Sequence, residues 1–156
     1  MQKTNAMRLL DKNNIKYNTI SYENKDGKID GIAVAEKIGK DVNTVFKTLV
    51  TQGNSKELYV FVIPVIEELD LKKAAMVAGE KNLDMIHVKD INKYTGYIRG
   101  GCSPLAMKKA YKTFIHNSAE KFSNIVFSAG KIGLQIEVNP LELASVIEAK
   151  FENIVV

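Results

Sequence analysis

The hydrophobic and polar positions of the chain follow two periods, and the changes between them predict a mixed α/β fold. After Thr4, a candidate cap, the apolar residues within Ala6–Leu10 recur at helical spacing and predict a first helix. Alternating positions or short apolar runs are typical of strands. They predict strands, in chain order, over residues 17–23, 45–51, 58–65, 85–88, 113–116, 124–128 and 134–138.

Glycines and capping residues predict where three further helices begin and end. One is expected over residues 32–38 before Gly39, one after Asp70 that ends at Gly79, and one from Asn139-Pro140 to about Ala149. Strands outnumber helices, and hairpins join several of them. We therefore predict a single domain, residues 1–156, with a curved mixed β-sheet, barrel-like in its core and surrounded by helices.

The composition narrows the class of protein without identifying a function. Apolar residues make up 46% and charged residues 26% of the 156 positions, as in globular domains. A net charge of +4 permits a nucleic-acid partner but does not require one. The single cysteine excludes an internal disulfide. Since we find no signal peptide and no membrane span, we expect a cytoplasmic protein.

The segment Tyr94–Lys109 holds three of the ten glycines and one of the three prolines. The pair Gly100-Gly101 lets the backbone adopt a positive φ, and Pro104 restricts the loop to one shape. Successive amide groups in such a loop can bind an anion or an oxyanion. An ordinary Gly-Pro turn explains the same pattern, so both interpretations remain open at this point.

The strand that carries Lys47 is the second informative place. Its alternation puts Lys47 on one face with Val45 and Leu49. On a solvent-facing side, Lys47 is an ordinary surface lysine. On the wall of a pocket, its ammonium group needs an anionic partner such as a phosphate.

Common catalytic and cofactor motifs are missing from the sequence. Cys102 is the obvious nucleophile, but neither His87 nor His116 stands at a recognisable spacing from it. A single cysteine among glycines is more often structural. The two histidines also lack further ligands at metal spacing. We therefore expect no metal and no cofactor.

Four motifs in register resemble the YbaK/EbsC family, the free-standing relatives of the editing domain of bacterial prolyl-tRNA synthetase. They are Phe46–Leu49, Leu69–Lys73, Thr95–Tyr97 with Gly100–Pro104, and Ser128–Lys131. The resemblance covers essentially the whole chain. It implies the editing-domain fold and trans-editing hydrolysis of mischarged aminoacyl-tRNA, most closely Cys-tRNA(Pro), with Cys-tRNA(Cys) as a further substrate.

The resemblance also implies roles for individual residues. The catalytic set is Lys47, which holds the acceptor-end phosphate or ribose, with Gly100 and Gly101, whose amides hold the aminoacyl carbonyl. The substrate's own thiol attacks its carbonyl and forms a thiolactone. The substrate-binding positions are Tyr22, Thr48, Cys102, Ser103, Pro104, Ser128, Gly130 and Gln135.

Two positions depart from the family pattern and leave the accepted amino acid open. A pocket phenylalanine of the family aligns near Ile29 or Asp30, and the usual aspartate is Gln135 here. A deacylase for another small amino acid such as alanine is therefore an alternative. A non-catalytic module that binds tRNA or a synthetase is another. The partner implied for a deacylase is the acceptor end of aminoacyl-tRNA. A transient complex with prolyl-tRNA synthetase is a further expected partner, which would supply tRNA selectivity if the domain lacks it.

Overall fold

Two β-sheets contribute to one hydrophobic core in the computed structural model, which describes residues 2–156. Five α-helices surround them. The helices are α1 (Asn5–Lys12), α2 (Gly31–Ile38), α3 (Leu71–Ala78), α4 (Ile91–Thr95) and α5 (Pro140–Ile147). The strands are β1 (Tyr17–Ser21), β2 (Phe46–Gly53), β3 (Leu58–Pro64), β4 (Leu83–Met85), β5 (Lys112–His116), β6 (Ile125–Lys131), β7 (Leu134–Val138) and β8 (Lys150–Glu152).

The smaller sheet is antiparallel, in the order β1-β7-β6, and the larger is mixed, in the order β4-β2-β3-β5-β8. In the larger sheet, β2 pairs antiparallel with β3 and β4, while β5 pairs parallel with β3 and β8. A single parallel bridge between Val45 and Val126 joins the two sheets. The predicted mixed α/β fold with outer helices is confirmed, and its strands form two linked sheets that do not close into a barrel.

The strand β3 is buried at every position, which explains why its sequence is apolar without alternation. One face, with Val60 and Val62, packs in the core shared with β6 and β7. The other face, with Phe61 and Ile63, packs in a second cluster beneath α3. The central strand therefore has no solvent side.

The predicted helix ends are confirmed by their capping geometry. The side chains of Thr4, Asp70 and Asn139 each accept a hydrogen bond from backbone amides in the first turn of α1, α3 and α5. Gly39 and Gly79 end α2 and α3 in the left-handed conformation. None of the helices within residues 2–156 is long and apolar enough to cross a membrane.

Several elements differ from the sequence predictions. The strand expected over residues 85–88 lies at β4 instead, because buried Leu83 pairs with the end of β2. A 3-10 turn, Val88–Asp90, and α4 follow it. The strand β6 continues to Lys131, three residues past its predicted end, which leaves only a turn before β7. The strand β8 was not predicted, since only its pairing with β5 defines it.

Candidate functional site

A cavity of about 110 Å³ opens where β2, the loop that carries Gly100 and Cys102, β6 and the start of α2 meet. Most of the predicted site residues are here. It is lined by Tyr22, Ile29, Gly31, Val34, Val45, Phe46, Lys47, Thr48, Val65, Gly100, Cys102, Ser128 and Gln135. A larger cavity of about 370 Å³ lies behind the loop and holds only Pro104 of the predicted residues.

Lys47 lies on β2 opposite Ile63 of β3, and its side chain is half-buried at the wall of the cavity. The neighbouring Phe46 is fully buried in the core and holds the strand in this register. Within residues 2–156, the three ion pairs involve other lysines, and Lys47 has no carboxylate partner. An unpaired ammonium group beside a cavity attracts an anionic ligand.

Two hydroxyl groups on the cavity wall are buried without a hydrogen-bond partner among the described residues, those of Tyr22 and Thr48. The side chain of Tyr22 is only 9% exposed. Leaving a buried polar group unpaired costs about 1–3 kcal/mol, so native proteins avoid it except where a ligand or water completes the set. Two such groups in one small cavity indicate a binding site.

The loop within the segment Tyr94–Lys109 reaches the cavity through a tight turn. The amide of Gly101 donates to the carbonyl of Ile98 at 2.9 Å, and Gly100 has φ +84°, as at the third position of a type II turn. Of the pair Gly100-Gly101, only Gly100 adopts the positive φ that the sequence allowed for both. Gly101 is needed for another reason, since a Cβ there would lie 3.2 Å from the backbone nitrogen of Ile132.

Three predicted substrate-binding residues do not line the cavity. The hydroxyl of buried Ser103 accepts from the amide of Leu105, and Pro104 faces the cavity behind the loop. Gly130 has φ +99° and packs beneath Tyr97, whose ring atoms a Cβ would approach to 2.8 Å. Ser103 and Pro104 lie within the loop and Gly130 lies in β6, whereas Tyr22, Thr48, Cys102, Ser128 and Gln135 line the cavity.

With this geometry in place, residues 30–146 match the family described as the aminoacyl-tRNA editing domain. The chain belongs to this family. The Enterococcus faecalis protein named "Putative Cys-tRNA(Pro)/Cys-tRNA(Cys) deacylase EbsC" is 43% identical over 153 residues, which are 98% of this chain and 93% of that protein. The Bacillus subtilis protein named "Uncharacterized protein YwhH" is 24% identical over 110 residues, 70% of this chain and 69% of that protein.

Solved structures share the fold of this editing domain. One described as a "putative trans-editing enzyme for prolyl tRNA synthetase" superimposes with a TM-score of 0.84, over 100% of this chain and 99% of that one. Its sequence is 18% identical, so the likeness establishes the common fold. The resemblance noted from the four sequence motifs is thus confirmed.

Cys102 lies in the wall of the editing-domain cavity, but its thiol is not activated. Burial raises the pKa of the Cys102 thiol to about 11, and a hydrogen bond with Thr95 opposes this only in part. A thiol with this pKa stays protonated at neutral pH and is a weak nucleophile. No histidine lines the cavity, and His116 pairs with Ser118 at the end of β5.

The two departures from the family pattern can be located. Ile29 lines the cavity, whereas the carboxylate of Asp30 caps α2 by accepting from the amide of Ala33 at 3.0 Å. Gln135 is 5% exposed and lies between Ile20 and Ser128 in the smaller sheet. Both Ile29 and Gln135 therefore form part of the cavity wall.

Several apolar wall residues were not predicted, among them Val34 and Val65. They come from elements far apart in sequence, and local pattern does not distinguish them from core residues. Gly31, also not predicted, packs closely in the structure, since a Cβ there would lie 2.3 Å from a methyl carbon of Val65. Within residues 2–156, no group of three or more His, Cys, Asp or Glu side chains could hold a metal ion.

Proposed function

We propose that this editing domain deacylates tRNA mischarged with cysteine, Cys-tRNA(Pro) or Cys-tRNA(Cys), acting in trans. One observation carries the proposal: the unpaired Lys47 ammonium and the unpartnered hydroxyls of Tyr22 and Thr48 share a cavity with the Gly100 turn. The name of the E. faecalis relative, 43% identical, supports the same substrate class.

The size of the cavity supports a small aminoacyl group. A cavity of about 110 Å³, smaller than the 370 Å³ cavity behind the loop, suits a small group better than a large one. Apolar walls from Ile29, Val34 and Val65 suit a thiol or methyl group better than a charged side chain. Size alone discriminates by about 1–3 kcal/mol per methylene, so further selection must be chemical.

The residues present suit a reaction that needs orientation more than a strong protein nucleophile. Lys47 would hold a phosphate or ribose oxygen of the acceptor end, and the backbone around Gly100 and Cys102 would hold the aminoacyl carbonyl. The substrate sulfur then attacks its own carbonyl carbon. A C–S bond forms, the C–O bond to the ribose breaks, and the ribose oxygen takes the thiol proton. Water opens the resulting thiolactone to free cysteine.

The protonated state of Cys102 agrees with this assignment of the nucleophile to the substrate. The amide of Gly101 already donates to Ile98. We therefore assign the carbonyl contacts to the backbone at Gly100 and Cys102, and give Gly101 the role of closing the turn.

The test is single-turnover deacylation of Cys-tRNA(Pro) by Lys47→Ala. Removing a charged group that contacts the reacting substrate should lower the rate by about 100-fold or more. Lys112→Ala, at an exposed strand lysine, removes the same charge away from the cavity and should retain the rate. Lys47→Arg keeps the charge but not the compact ammonium group, and should also be impaired.

Three results would count against the proposal. Equal rates for Lys47→Ala and Lys112→Ala would remove Lys47 from the site. Wild-type protein that binds Cys-tRNA(Pro) without releasing cysteine would favour the non-catalytic binding module. Faster release from Ala-tRNA than from Cys-tRNA would change the substrate to alanine. Adding prolyl-tRNA synthetase to reactions with Cys-tRNA(Pro) and Cys-tRNA(Cys) tests whether a transient complex supplies tRNA selectivity.

A further inference from the structure

The loop of residues 23–28, which we call the wall loop, is tied to α2 by one side chain, that of Lys37. Its Nζ donates to the carbonyl of Glu23 at 2.6 Å, the carboxylate of Asp26 at 2.8 Å and the carbonyl of Lys28 at 2.9 Å. An ammonium group has three donors, and these acceptors use all of them. The Lys37 side chain is 20% exposed, whereas its partner Asp26 is 46% exposed and lies at the surface.

The wall loop connects two residues of the cavity wall. Tyr22 precedes it and Ile29 follows it, and both line the site. The Lys37 ammonium also lies 5.9 Å from the centroid of the Tyr22 ring, within the range of a cation–π contact. The hydrogen bonds from the amides of Lys25, Gly27 and Lys28 stay inside the loop. Lys37 is thus the side chain that links the loop to a helix.

We propose that Lys37 is a positioning residue for deacylation, which holds the wall loop so that Tyr22 and Ile29 form one side of the aminoacyl cavity. This inference rests on the proposed function. Lys37 does not line the cavity itself, so it acts through the residues that do. Its hydrogen bond lowers the pKa of the Asp26 carboxyl, which keeps the carboxylate ionised and the contact intact at neutral pH.

Lys40 provides a matched control. It lies just after α2, and its Nζ pairs with the carboxylate of Glu137 on β7 at 2.8 Å. It neither contacts the wall loop nor lines the cavity. Lys37→Met and Lys40→Met remove the same charge from almost the same place, so they should weaken long-range attraction to tRNA equally.

Two measurements test the inference. Amide hydrogen exchange reports the order of the wall loop without any substrate. Single-turnover deacylation at varied enzyme concentration separates the rate at saturation from binding. For Lys37→Met we expect faster exchange over residues 23–29 and a saturated rate about 10- to 100-fold lower, the scale of a group misplaced by about 1 Å. Binding should match that of Lys40→Met, because phosphate contacts dominate tRNA affinity.

Unchanged exchange over the wall loop in Lys37→Met would overturn the inference. So would faster exchange with a saturated rate equal to that of Lys40→Met, since the loop would then be loose without affecting the reaction. Lys37→Arg, which can restore several donors, should recover part of the rate if positioning is the role. Failure of the proposed function would give a different result. The wild-type protein would then be inactive, while hydrogen exchange would still show whether Lys37 orders the wall loop.

Discussion

Replacing Gly100 by alanine tests whether the turn at this residue shapes the cavity, when its effect on deacylation is compared with its effect on the stability of the fold. Gly100 has φ +84°, where an L-residue is strained, and an added Cβ would lie 2.8 Å from the terminal methyl carbon of Ile29. Ile29 is flexible and can move, but it moves within the cavity wall. The substitution therefore changes both the turn and the space beside it.

The expected magnitudes follow from these two contacts. The left-handed backbone costs an alanine about 1–2 kcal/mol, which lowers the melting temperature of a domain of this size by about 2–8 °C. Displacement of the turn moves the backbone groups assigned to the aminoacyl carbonyl. Loss of one such donor in other enzymes costs about 100- to 1,000-fold in rate, so we expect a fall on the order of 100-fold in single-turnover deacylation.

Gly79→Ala is the matched control. Gly79 has φ +75° at the end of α3, and a Cβ there would meet nothing within 4 Å. It should lose a similar amount of stability in thermal unfolding and keep its deacylation rate. If Gly100→Ala loses stability but deacylates as fast as Gly79→Ala, the turn does not shape the site, and the loop is an ordinary Gly-Pro turn.

Two further substitutions test the chemistry of the cavity. Cys102→Ala should retain most of its deacylation activity and an unchanged pH–rate profile near neutral pH, because a thiol with a pKa of about 11 is protonated there. With the wild-type protein, a cysteinyl ester whose sulfur is blocked should not be cleaved. An inactive Cys102→Ala that leaves the blocked ester cleavable would assign the nucleophile to the protein. Tyr22→Phe removes a buried hydroxyl without a protein partner, so it should raise the free energy of unfolding by about 1 kcal/mol while slowing deacylation. A destabilised Tyr22→Phe would show that the hydroxyl has a partner in the unliganded protein.

The helix ends could be predicted from sequence because their physics is local. Thr4, Asp70 and Asn139 cap helices within three residues of themselves, and Gly39 ends α2 through its own backbone conformation. The unbroken apolar run of β3 likewise identified a strand buried on both faces. The candidate site was found mainly through four motifs that resemble a known family, since alternation alone left Lys47 either on the surface or in a pocket.

Tertiary structure decided which predicted residues share the cavity. The positive φ lies at Gly100 and not at Gly101 because the hydrogen bond from the Gly101 amide to Ile98 defines the turn. The sequence alone does not indicate which of the two adjacent glycines adopts this conformation. Ser103 is turned into the loop by its bond to Leu105. The tether from Lys37 to the wall loop spans up to fourteen residues along the chain. The bonds at Gly101 and Ser103 are local, but the pattern of apolar and polar positions does not distinguish them from other turn geometries. The Lys37 contacts and the cavity lining depend on where separate elements meet, which that pattern does not record.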